Sequence, residues 1–97
     1  MVAISDTAAR ALYEAVAHKG KHKGLLLAKA PRSNTLAYAA WQGAMINCNP
    51  YKASIEGIAF MDPAQREVYR EVNAVFEQLG IRSLDRDRNA LDRLGVW

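Results

Sequence analysis

The sequence predicts an all-α protein: one compact domain of four to six short helices, packed like a bundle. Apolar side chains recur at intervals of three and four residues along most of the chain, which is the period of an amphipathic helix. Residues that commonly cap helices precede several of these stretches. Alanine, the best helix former, accounts for 17 of the 97 residues. No linker-like tract divides the chain, so residues 1–97 are predicted to form a single domain.

The first helix is predicted to begin at a cap of Ser5 or Asp6 and to end near His18. Its apolar positions fall on one face: Ala8, Ala11, Leu12, Ala15 and Val16. The following segment, 19–24, contains glycine and no apolar residue and is predicted to be a loop. Residues 25–30 are short enough to form either a buried strand or two helical turns, and their leucine and alanine content favours a helix.

Residues 35–47 are predicted to form a central helix, capped by Ser33 or Asn34 and apolar on nearly every side. A helix of this kind that is too short to cross a membrane is buried on most of its surface. Small residues recur on it at four-residue spacing: Ala39 and Gly43, Ala40 and Ala44. They permit a close approach by another helix, either from the same chain or from a second copy.

A helix over 63–79 has the clearest signals in the chain. Asp62 is a good cap, Pro63 is favoured at the first helical position, and Gly80 is a common terminator. The apolar stripe of this helix is Val68, Val72, Val75, Phe76 and Leu79.

Two further helices are predicted from similar signals. Asn49-Pro50 predicts a helix over 50–60. Its inward positions are Ile55, Ile58 and Ala59. Asp85 or Asp87 is predicted to cap a last short helix. Its inward positions are Leu91 and Leu94.

Charge is distributed unevenly along the chain. Residues 1–53 carry seven basic and two acidic side chains, whereas residues 54–97 carry six basic and eight acidic ones. No acidic residue stands between Glu14 and Glu56. The candidate anion-binding residues in this gap are Lys19, Lys21, His22, Lys23, Lys29 and Arg32. The alternatives are a solvated loop, or a surface that the acidic second half of the chain covers.

An apolar pocket among the helices is the alternative site, and it would belong to a small-molecule binder or an enzyme. Its candidate lining residues are Tyr38, Trp41, Met45 and Tyr51. The spacing of Tyr38 and Trp41 is equally typical of core side chains. No pair of carboxylates lies in an apolar setting, so no catalytic residue is predicted and an enzyme is the less favoured class.

Metal and thiol chemistry are also disfavoured. His18 and His22 have the i, i+4 spacing of metal ligands, but Gly20 and several lysines lie between and beside them. The lone Cys48 has no histidine near it in sequence and is typical of a small buried residue. The sequence therefore predicts neither a metal site nor a cofactor.

Together these patterns predict a non-catalytic interaction protein that presents a basic face, residues 18–32, to an anionic partner. That partner is an acidic protein surface, a nucleic acid or a phosphorylated small molecule. A core with two Phe and two Trp is thin, which favours a homo-oligomer. One cysteine, no signal-peptide pattern and no apolar run of about 20 residues predict a cytoplasmic protein without a membrane segment.

Overall fold

The computed structural model describes residues 4–17, 25–26, 30–48, 58–82 and 94. These residues contain three helices, α1 (Asp6–Ala15), α2 (Leu36–Cys48) and α3 (Pro63–Leu79), and two strands, β1 (Val16–Ala17) and β2 (Leu25–Leu26). The all-α class is confirmed, because the strands form only a two-residue antiparallel ladder. The predicted helices over 50–60 and after Asp85 fall largely outside the described residues, so the count of four to six helices stays a prediction.

Helix α1 begins as predicted and ends earlier. The Ser5 side chain caps it by accepting a hydrogen bond from the Ala8 amide at 3.2 Å. The predicted apolar face is confirmed, and its five residues are all buried. The helix stops at Ala15 rather than near His18, because the Val16 backbone is extended (φ −108°, ψ 157°) and joins the ladder.

The ladder corrects the prediction for the start of residues 25–30. Val16 pairs with Leu26, and Ala17 pairs with Leu25, so both leucines are extended rather than helical. Backbone hydrogen bonds to a strand about ten residues earlier outweigh the helical preference of two leucines, because intrinsic propensity is a small term that tertiary context overrides. Residues 27–29 lie outside the described part of the chain.

Helix α2 is the central helix, as predicted. Every residue from Ala37 to Met45 is buried, and both α1 and α3 pack against this helix. The predicted caps are wrong, since Thr35 takes that role in place of Ser33 or Asn34. Its Oγ1 accepts from the Tyr38 amide at 3.2 Å and donates to the Arg32 carbonyl at 2.7 Å.

Gly43 sets the distance between α2 and α3. A Cβ atom at this position would lie 2.8 Å from the Tyr69 carbonyl oxygen and 3.1 Å from the Val72 Cβ. Its three small neighbours on α2 have no exposed surface: Ala39, Ala40 and Ala44. Packing within one chain therefore accounts for the small-residue spacing, one of the two possibilities that the sequence leaves open.

Helix α3 has the predicted bounds at both ends. Asp62 and Gln65 form a reciprocal capping box, with the Gln65 amide 2.8 Å from Asp62 Oδ1 and the Asp62 amide 3.1 Å from Gln65 Oε1. Gly80 ends the helix with a positive φ of 68°, and the Ile81 amide then donates to the Phe76 carbonyl at 2.9 Å. Ile81 and Phe76 are both fully buried, so the C-terminal end of the helix packs into the core.

The inward positions predicted near 50–60 and at the last helix are only partly correct. Ile58 is half-buried against the core, as expected, but Ala59 is exposed and that prediction is wrong. The backbone turns at Phe60, so Met61 rather than Ala59 enters the core, with 5% of its surface exposed. Leu94 is buried, as predicted.

Candidate functional site

The described part of the chain includes one of the six predicted anion-binding residues, Arg32. Its side chain is exposed, and its backbone carbonyl accepts hydrogen bonds from both the amide and the hydroxyl of Thr35. The α2 cap therefore fixes the Arg32 backbone while the guanidinium remains at the surface. The other five residues lie outside the described residues: Lys19, Lys21, His22, Lys23 and Lys29.

The β1–β2 ladder fixes both ends of the segment that carries most of these side chains. Ala17 and Leu25 are direct partners across the ladder, and the seven residues 18–24 connect them. This connection contains three lysines and two histidines. The antiparallel pairing therefore places Ala17 and Leu25, the two residues that flank this basic segment, side by side.

The residues of the alternative pocket lie in the core. Tyr38, Trp41 and Met45 are 9%, 5% and 3% exposed, which confirms that the aromatic pair belongs to the buried face of α2. The Tyr38 and Trp41 rings stack with centroids 6.1 Å apart. The Gln42 side-chain amide donates to the Tyr38 hydroxyl at 2.7 Å, so the polar end of the tyrosine is paired inside the core. Tyr51 lies outside the described residues.

Open grooves lie on another part of the surface, where α1, the start of α2 and α3 meet. One of 570 Å³ runs between α1 and α3 over Leu36, and one of 380 Å³ continues from it along α1 past Arg10 and Glu14. A third, of 730 Å³, lies at the start of α3. Its lining residues are Met61, Pro63, Ala64, Arg66, Glu67 and Arg70. Charged side chains of both signs line all three grooves.

A polar network that the sequence does not reveal joins α2, α3 and the chain after α3. The side-chain Nδ2 of Asn47 donates to Asn73 Oδ1 at 2.8 Å, and Arg82 Nη1 donates to Asn47 Oδ1 at 2.8 Å. The partners are 26 and 35 residues apart in sequence, so no local pattern could have paired them. The half-burial of both asparagines gives this network a structural role.

Potential metal ligands are not clustered in the part of the chain that the structure covers. Residues 4–17, 25–26, 30–48, 58–82 and 94 contain no cluster of three His, Cys, Asp or Glu side chains that could bind a metal ion. Cys48 is the last residue of α2 and is half-buried rather than fully buried. His18 and His22 lie outside the described residues.

Comparisons with protein-family models, with curated proteins and with solved structures give no significant match to this chain. In the described part of the chain, no helix combines the length and the apolar character that crossing a membrane requires.

Proposed function

We propose that this protein is a non-catalytic interaction protein that binds an anionic partner through the basic segment 18–32. The observation that favours this function over a small-molecule site is the filled core. Tyr38, Trp41 and Met45 are buried members of the hydrophobic core, and the rings of Tyr38 and Trp41 stack on each other. A ligand would have to displace close-packed core side chains to reach them, whereas a surface segment needs no such rearrangement.

The ladder supports the choice of this segment. Because Ala17 pairs with Leu25, the three lysines between them belong to one short connection whose ends are fixed together. Several cations confined to a short segment raise the local positive potential more than the same charges spread along a chain. The exposed Arg32 adds a cation in the segment that leads into α2.

The partner is defined by its chemistry. Lysine and arginine side chains recognise phosphate or carboxylate groups, so the partner is an acidic protein surface, a nucleic acid or a phosphorylated small molecule. The proposal includes self-association, which is supported by the small number of Phe and Trp residues available for the core. It also includes a cytoplasmic location, which is supported by the presence of a single cysteine.

A charge-matched pair of variants tests the proposal. Lys21→Ala with Lys23→Ala removes two charges from the basic segment, and Arg10→Ala with Arg88→Ala removes two charges elsewhere in the chain. In a titration with heparin at physiological ionic strength, the lysine pair should weaken binding at least tenfold. The arginine pair should change it less than about twofold, because at this salt charges more than about 8 Å from the polyanion are screened.

Equal effects of the two pairs would contradict the proposal, since they would mean that heparin responds to net charge alone. Undetectable binding by the parent protein would contradict it as well. Circular dichroism of both variants checks that each remains folded.

A further inference from the structure

Phe60 is the most exposed large hydrophobic side chain in the described residues. It is 88% exposed, whereas Tyr13, the next, is 43% exposed. Exposing a phenylalanine forgoes the stabilisation that its burial would give. A single exposed apolar residue is ordinary by itself, so the question is whether the surrounding structure is built to display it.

The backbone on both sides of Phe60 is held by one arginine. Arg66 Nε donates to the Met61 carbonyl at 3.1 Å, and Arg66 Nη2 donates to the Ala59 carbonyl at 3.2 Å. The Met61 amide closes the turn on the Ile58 carbonyl at 3.2 Å, and the Met61 side chain is buried. Phe60 therefore lies at the tip of a turn, and the backbone carbonyls of both residues that flank it accept hydrogen bonds from Arg66.

Gln65 of the capping box also ties this region to the segment that precedes α2. The Gln65 side chain accepts from the Asp62 backbone amide through Oε1. Its Nε2 donates to the carbonyl oxygens of Ser33 and Thr35, both at 2.9 Å. Gln65 is 3% exposed, so these bonds are shielded from water. A residue displayed on so constrained a backbone loses little conformational entropy on binding, which is what an anchor residue requires.

A groove lies directly beside this turn. Met61 and Pro63, which follow Phe60 in the chain, line the 730 Å³ groove, and Arg66, which holds the turn, also lines it. We infer that Phe60 anchors a homodimer, in which Phe60 of each chain inserts into this groove on the other. The inference rests on the self-association included in the proposed function and names the surface that carries it.

This surface is better suited to binding a second copy of the chain than the basic segment 18–32 is. In a twofold-symmetric dimer a surface contacts its own copy, so it must contain both the projecting group and the recess. The Phe60 turn supplies the projection and the adjoining groove supplies the recess. The groove also carries both signs of charge, in Arg66, Arg70 and Glu67, so it can pair with itself. The basic segment 18–32 carries one sign and would repel its copy.

Two single variants remove the two halves of the contact. Phe60→Ala removes the projection, and Ala64→Arg fills the recess at an exposed position on the first turn of α3. Sedimentation equilibrium should show a dimer for the parent protein. Each variant should raise the dimer dissociation constant by at least about 900-fold, because the factor of about 30 for losing one hot-spot aromatic applies to both symmetric contacts. Tyr13→Ala, an exposed aromatic on α1, is the control and should leave the dimer unchanged.

Mixing the two variants sharpens the test. Phe60→Ala keeps an open recess and Ala64→Arg keeps an intact Phe60, so the mixture should regain one of the two contacts and associate more tightly than either variant alone. A dimeric parent whose affinity is unaffected by Phe60→Ala would overturn this inference and leave self-association standing. A monomeric parent would overturn both. Circular dichroism confirms that each variant is folded.

Discussion

At Gly43 the absence of a side chain determines how closely two helices approach. The Tyr69 carbonyl oxygen and the Val72 side chain occupy the space where a Cβ would stand. The neighbouring alanines complete a surface of small residues, and each is fully buried. The four-residue spacing was visible in the sequence, but the helix that packs against it was not, because Gly43 and Val72 are far apart along the chain.

Gly43→Ala should destabilise the protein by about 1–3 kcal/mol, because the new methyl group meets a backbone oxygen that cannot move without shifting α3. At an exposed helical position the same change stabilises by roughly 0.5–1 kcal/mol, so the sign of the effect is diagnostic. Urea unfolding followed by circular dichroism measures it.

The matched control is the reverse change at an exposed position in the middle of α3, Ala74→Gly. It should cost about 0.5–1 kcal/mol from helix propensity alone. A Gly43→Ala protein that is more stable than the parent would show that α2 and α3 do not approach as closely as described.

Helix α3 shows what a sequence determines when the signals are local. Asp62 accepts a hydrogen bond from an amide in the first turn, Pro63 favours the first helical position, and Gly80 ends the last turn, so both ends could be predicted. The start of α2 was harder to place. Ser33, Asn34 and Thr35 can all cap a helix, and the backbone geometry, which no local rule fixes, selects Thr35.

The capping box gives a prediction for α3 as a whole. Asp62→Ala removes the acceptor of the Gln65 amide and should lower the free energy of unfolding by about 0.5–2 kcal/mol. Asp62→Asn keeps a side-chain oxygen and should stay within about 0.5 kcal/mol of the parent, since asparagine is an equally good cap. Urea unfolding of the three proteins checks both values, and an alanine variant as stable as the parent would show that the box contributes nothing.

The β1–β2 ladder was not predicted, although the sequence leaves a strand open for residues 25–30, and the reason is the opposite one. A strand of two residues is too short for the strand preference of its side chains to be recognised in the sequence. The ladder depends on the pairing of two segments that are not adjacent in the chain. Its consequence for function is topological, since it fixes both ends of the connection that carries Lys19, Lys21 and Lys23. The basic composition of that connection could be read from the sequence, whereas the pairing of its ends could not.

At the scale of the molecule, the two proposed binding surfaces differ in their charge. The single-sign basic segment suits an anionic partner, and the mixed-sign surface beside Phe60 suits a second copy of the chain. The sequence predicted the first surface from the gap in acidic residues. It did not predict the second, because Phe60 was placed at the end of a helix and only the tertiary structure shows that it faces solvent.

The salt dependence of polyanion binding tests the central claim most directly. Binding of a single-stranded oligonucleotide should weaken linearly with salt on a double-logarithmic plot, because bound cations release counterions. Four engaged lysines predict a slope of about −3, at about −0.7 for each contact. Each lysine changed to alanine should reduce the slope by about one contact. A slope near zero, or no binding by the parent at physiological salt, would contradict the proposal that residues 18–32 form an anion-binding surface.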